Sequence, residues 1–277
     1  MKKTLYKTPI RLSIILIVLS AITSFGGIFV NNIYRDNELI KAVWLGNDIV
    51  TLFIVIPIMI GALFFSLRNS LKAQLIWMGT LWYMVYNYIF YMYGAAFNKF
   101  FLLYVIIFTL SVYALILALV KIDIKNLKQK ISSKIPVKWI SNYMLFFAIV
   151  IGGLWIAQSL SFVFTNKIPI GITQTDNPAG VIFATDLSFL VSTLIVGAVL
   201  LWKRELWGYI ISIIAMTKCL LYPFVLVIGG IIAYQKTGIW DSLIPLYILL
   251  WVGCLLAYIY LKALRVKKSE GIEESHS

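Results

Sequence analysis

Two charged side chains stand inside long apolar runs of this chain: Lys218, within Leu206–Tyr234, and Asp186, within Ala179–Trp202. In hydrocarbon such a charge costs several kcal/mol unless it is paired or hydrated, so it marks an ion, proton or substrate pathway. Lys218 lies about 20 Å from the basic end of its run and Asp186 about 25 Å from the same end, at 1.5 Å per helical residue. The depths differ by about one turn, which a lysine stem spans. Lys218 and Asp186 are therefore expected to face each other, as an ion, proton or anionic-substrate site or as a structural ion pair. A lysine snorkelling outward is the other reading. Pro223 adds a kink, because it cannot bond the carbonyl of Cys219.

Asp48 and Asn87 are the candidates in the first half. Asp48 reads as an outer-interface residue that can be wet, and Asn87 as a deeper amide able to pair helices. The run containing Asn87 is unusually aromatic. Tyr83, Tyr86 and Tyr88 fall near mid-depth, where their hydroxyls need partners; Gln158 and Ser161 are candidates. Tyr83, Asn87 and Tyr91 share one face at i, i+4 spacing, suited to a ring-bearing or amphipathic ligand or to helix pairing. Cys219 and Cys254 fall at different depths, about 22 and 12 Å, and read as packing residues.

Other chemistries are excluded by what is missing. The one histidine, His276, is next to the C-terminus. Haem ligation, zinc-protease and serine–histidine chemistry all need histidines in the apolar body. No Walker A loop and no pair of aspartates for a magnesium diphosphate is visible, and an aspartyl dyad of Asp48 and Asp186, though geometrically conceivable, is disfavoured by their outer position and by Lys218. No cofactor is implied.

The elements that must position these residues follow from hydropathy. The chain is 61% apolar and 13% charged over 277 residues, against about 45–50% and 25% in soluble domains. That excess calls for a lipid-facing surface. Eight runs are long enough to cross a bilayer as helices: 12–30, 49–67, 73–97, 100–120, 139–164, 179–202, 206–234 and 243–264. The first follows Lys2, Lys3, Lys7 and Arg11 and is expected to be a retained helix rather than a cleaved signal.

Lysines and arginines set the orientation. Eighteen fall on one side of the eight runs and five on the other, with Lys218 inside a span. The rich side is read as cytoplasmic, with both termini on it. The net charge of +13 is thus explained by topology, not by nucleic acid. The expected fold is an all-α integral membrane protein of eight transmembrane helices, multi-pass in a bacterial cytoplasmic membrane.

The eight runs further divide into two tandem, parallel four-helix repeats: 1–125, a basic linker 126–138, then 139–268, with a disordered polar tail 269–277. Gly26-Gly27 answers Gly152-Gly153, Arg68 answers Lys203-Arg204, and Asn98 with Leu103-Tyr104 answers Asp241 with Leu246-Tyr247. Asp176-Asn177-Pro178 is expected to make a turn-rich outer cap.

The function expected is binding or transport of a small molecule or ion, with Lys218, Asp186, Asn87, Tyr83, Tyr91 and Asp48 lining the site. Two alternatives stay open: a membrane-embedded enzyme acting on a lipid or isoprenoid, and a non-catalytic subunit or immunity-type partner. Lipid is the one partner the sequence implies; a protein partner is unknown.

Overall fold

The computed structural model describes residues 7–131, 135–175 and 179–262, and among them the regular structure is entirely helical. The Asp176–Pro178 turn, the polar tail with His276, and the first lysines lie outside the described residues. The helices are α1 (Lys7–Phe29), α2 (Glu38–Leu67), α3 (Leu71–Tyr93), α4 (Phe101–Val120), α5 (Ile124–Lys130), α6 (Val137–Thr165), α7 (Ile170–Gln174), α8 (Val181–Trp202), α9 (Leu206–Thr237) and α10 (Ile244–Lys262).

Six of these, α1, α2, α4, α6, α8 and α9, are long and apolar enough to cross a membrane. This is a helical membrane protein with several such helices. Its surface supports that directly. On α1 the exposed residues include Ile14, Val18, Ile22, Phe25 and Phe29, a stripe at three- and four-residue spacing, while Ser13, Ser20, Thr23 and Ser24 face inward. Polar groups inside and large apolar groups outside is the arrangement lipid favours.

α3 is different. Seventeen of its 23 residues are buried, and it packs against α2, α4 and α9. Its tyrosines and Asn87 make it too polar to join the six, because it meets protein rather than lipid. The described part of α10 is a shorter apolar helix.

α2 begins eleven residues earlier than hydropathy predicts. Asn37 caps it, its side chain accepting from the Ile40 amide at 2.9 Å, with Glu38 in the first turn; both suit the electropositive helix start. Asp48 is consequently mid-helix and 2% exposed, not a wet interfacial residue.

Two helices contain a π segment, Thr51–Val55 in α2 and Asp186–Val191 in α8. Such segments hold an extra residue per turn and re-aim the side chains around them. They start 135 residues apart, and so do the left-handed residues Asn69 and Arg204 that precede α3 and α9. Left-handed Asn32 and Asn166 close α1 and α6. Asn98 and Asp241 each accept the backbone N–H two residues on, both at 2.9 Å.

The neighbour pattern also recurs. α1 touches α2 and α4, and α3 touches α2 and α4; α6 touches α8 and α10, and α9 touches α8 and α10. Across the middle, α9 packs on α2 and α3, and Gly46 lies so close to the Gly229 backbone that a Cβ would meet it at 2.5 Å. The segment expected as a basic linker does more than tether, since Leu127 and Ile135 are buried.

Candidate functional site

The polar interior divides into three clusters joined by α3. The first surrounds Lys218, in the middle of α9 and 2% exposed. Its ammonium lies 3.4 Å from the centroid of the Tyr86 ring and 4.4 Å from that of Tyr222. The two rings meet edge to face, 4.9 Å apart, so they form two walls of a cation box. A desolvated cation–π contact contributes roughly 2 kcal/mol or more, which offsets part of the burial cost of the charge.

Asp186 completes this cluster from α8. It is 7% exposed and opens the π segment. Its Oδ1 accepts the Tyr86 hydroxyl and its Oδ2 accepts the Trp155 indole N–H at 2.8 Å. Trp155 is held by Phe183, stacked at 4.4 Å. Lys218 and Asp186 thus do not form a direct ion pair; Tyr86 stands between them. Its hydroxyl donates to the carboxylate, which enriches the ring face that receives the ammonium. One phenol therefore carries both charges, an arrangement a network of polarised bonds strengthens.

The second cluster belongs to the first half. Tyr83 and Thr51 hydroxyls lie 3.1 Å apart, Asn47 donates to Asn87 Oδ1 at 2.7 Å, and Tyr83 donates to Asn47 at 3.3 Å. Asn47, Thr51, Tyr83 and Asn87 are all essentially inaccessible. Each satisfies another, so this knot reads as a pin between α2 and α3. Tyr83 and Tyr222 rings, 6.2 Å apart, link it to the lysine box.

The third cluster holds Asp48. Its Oδ1 accepts the Tyr91 hydroxyl at 2.9 Å and its Oδ2 accepts that of Tyr34. Burial pushes the Tyr34 phenol well above its usual range, which keeps it a donor. Trp44 and Tyr104 stack on Tyr91 at 5.0 and 4.8 Å. Gly27 of α1 gives the carboxylate its room, since a Cβ there would overlap Asp48 Oδ2 and the Tyr34 hydroxyl.

The structure therefore brings Lys218 and Asp186 into one cluster, Tyr83 and Asn87 into another, and Tyr91 and Asp48 into a third. The tyrosines of α3 find partners in Thr51, Asp186, Thr23 and Asp48, not in Gln158 and Ser161. Pro223 leaves α9 continuous; beside it the Trp251 indole donates to the Leu220 carbonyl at 3.0 Å, where the proline loosens the backbone ladder. Cys219 and Cys254 are free and buried. Cys254 Sγ lies 3.5 Å from Met216 Sδ, about one turn below Cys219, so the depth gap is smaller than the sequence estimate.

Tyr86 was marked only as a mid-depth hydroxyl in need of a partner, and site residues that spacing did not single out are Trp155, Tyr222, Asn47, Thr51, Tyr34, Trp44 and Tyr104. Tyr222 carried a usable signal, sitting four residues after Lys218 and so on its face. Asn47 carried another, adjacent to Asp48. Trp155 and Tyr34 carried none beyond an aromatic N–H or O–H in need of a partner.

Beside the lysine box an apolar groove of about 340 Å³ runs between the halves, lined by Trp82, Leu115 and Leu119 on one side and Ser192, Thr193, Val196, Trp207, Ile211 and Ile214 on the other. Ile214 is one turn from Lys218, and Ser192 follows the π segment that begins with Asp186. No protein-family model matches the chain, and no curated protein or solved structure matches it significantly.

Proposed function

We propose that this protein binds or transports a small molecule or ion through the cluster of Lys218, Tyr86, Tyr222 and Asp186, in a bacterial cytoplasmic membrane. The observation that carries the reading is Lys218 itself: a buried ammonium set between two phenol rings, with its carboxylate one ring away rather than in contact. A lysine already neutralised by direct pairing has little left to offer a ligand. One held by ring faces keeps hydrogen-bond donors to give to an anionic or carbonyl group.

The adjacent groove supports a ligand with an apolar part, which could enter from the lipid between α3, α4, α8 and α9. The same groove also favours the second reading, an enzyme acting on a lipid or isoprenoid. Turnover of lipid by the purified protein separates the two.

The architecture that goes with this reading has eight spans, α3 and α10 included, arranged as two parallel four-helix repeats with both termini cytoplasmic. It is supported by the shared neighbour pattern, the π segments 135 residues apart, the paired left-handed residues and the matching Asn98 and Asp241 turns. Parallel repeats place a shared site at their interface, near the bilayer midplane. Tyr86 from one half and Lys218 from the other meet there.

The test is thermal stabilisation of the purified protein across a panel of anionic lipids and metabolites. Wild type is expected to be stabilised by at least one, and Lys218→Ala, Asp186→Ala and the double variant to lose that shift. Folded variants that keep every wild-type shift would defeat the reading.

A further inference from the structure

The Asp48 cluster has no role in the site just proposed, yet it buries a carboxyl group as deeply as the Lys218 cluster does. What it lacks is a cation. Among the described residues, the groups that face Asp48 are Ser24 and Gly27 from α1, Tyr34 from the connection, Tyr83, Tyr88 and Tyr91 from α3, and Tyr104 from α4. None is basic. α9 meets this part of α2 with the backbone at Gly229. The only lysine of α2, Lys41, is two turns away and bonded to Glu38 at 3.0 Å. An ionised carboxylate buried with hydroxyl donors alone is expensive, and the inexpensive form is neutral.

The geometry selects a proton over a metal ion. Both oxygens already accept phenol hydrogens, so a metal would have to turn several groups round and find five or six oxygens. A proton needs one oxygen and no added space. The cluster also holds the capacity to receive it. The Tyr104 hydroxyl, 1% exposed, lies beside Tyr34 and Asn98 without completing a well-formed hydrogen bond to either. When Asp48 takes up a proton from water, the new O–H donates to the Tyr34 oxygen. The Tyr34 hydrogen then swings onto the Tyr104 oxygen. One proton is gained, no bond between heavy atoms changes, and the Tyr104 oxygen becomes satisfied.

We infer that Asp48, with Tyr34, Tyr91 and Tyr104, is a proton-binding site, occupied at neutral pH and separate from the Lys218 cluster. This does not rest on a ligand at Lys218, because its readout is a vibration of the protein itself.

The experiment is infrared difference spectroscopy of the full-length protein in lipid at neutral pH. A carbonyl stretch of a protonated carboxylic acid is expected, lost completely in Asp48→Asn and kept in Asp186→Asn. Should Asp48→Asn fail to fold, Tyr91→Phe removes one bond to the same group and is expected to shift the band. The inference is overturned if wild type shows no such band, if the band survives Asp48→Asn, or if it ignores Tyr91→Phe. It is equally overturned if sodium or potassium at constant pH abolishes the band.

Discussion

Asp48 and Asp186 present both carboxylate oxygens to aromatic donors, and in each case one donor is a tyrosine of α3: Tyr91 for the first, Tyr86 for the second. Both sit at or just before a π segment. The difference lies across the tyrosine ring. Behind Tyr86 stands Lys218 at 3.4 Å; behind Tyr91 stand Trp44 and Tyr104. The same dressing of a carboxyl group therefore serves a charged site in one half and, as inferred above, a neutral one in the other. A buried acid is defined less by its hydrogen bonds than by whether a positive charge accompanies it.

The comparison breaks most readily at the aspartates. Asp186→Ala leaves Lys218 buried without its carboxylate and is expected to cost about 3–5 kcal/mol. Asp48→Ala removes a neutral group from two phenols and is expected to cost about 1–3 kcal/mol. Equal losses in denaturant unfolding in micelles would show that the two sites carry the same charge.

The tyrosines give the next largest contrast. Tyr86→Phe removes a bond to a charged acceptor, expected at about 1.5–3 kcal/mol, and Tyr91→Phe one to a neutral acceptor, expected at about 0.5–1.5 kcal/mol. The same unfolding assay reads both, and the order matters more than the size.

The glycine pairs sharpen the contrast between halves. A Cβ at Gly27 overlaps Asp48, whereas one at Gly153 meets nothing within 4 Å. Gly27→Ala is expected to cost about 1–3 kcal/mol and Gly153→Ala less than about 0.5 kcal/mol. A costly Gly153→Ala would mean that α6 packs more closely there than described. Another small effect is at the amide pair, where a double-mutant cycle of Asn47→Ala and Asn87→Ala should return a coupling of about 0.6 kcal/mol.

What could be read from the sequence follows the strength of each physical signal. Lys218 is conspicuous because a charge in an apolar run has few explanations, and the face of Tyr83, Asn87 and Tyr91 follows from helical period. The start of α2 was hidden by Arg35, Asp36, Glu38 and Lys41, which read as a connection, although Asn37 and Glu38 form an ordinary helix start. That masking made Asp48 look wet. The bridge through Tyr86 was not readable, because depth from a helix end is one coordinate and a ring between two charges needs three. The six clearest spans follow from hydropathy alone. The run at 73–97 was also read as a span, but α3 is buried by its neighbours and too polar to join the six.

The π segments have a consequence for how the chain tolerates change in length. An α-helix advances about 100° per residue, so one surplus residue acts as a phase shifter between two arms of one rod. In α2 the extra residue is absorbed inside Thr51–Val55, between the arm with Asn47 and Asp48 and the arm from Ile56 to Leu67. Deleting a single residue there would relax the segment to ordinary helix without breaking it. Five residues of the wider helix turn the chain about as far as four of the ordinary one, so both arms would keep their faces and Asp48 its tyrosines. Elsewhere in a span such a deletion swings one arm by more than a quarter turn; here the rod has a spare link.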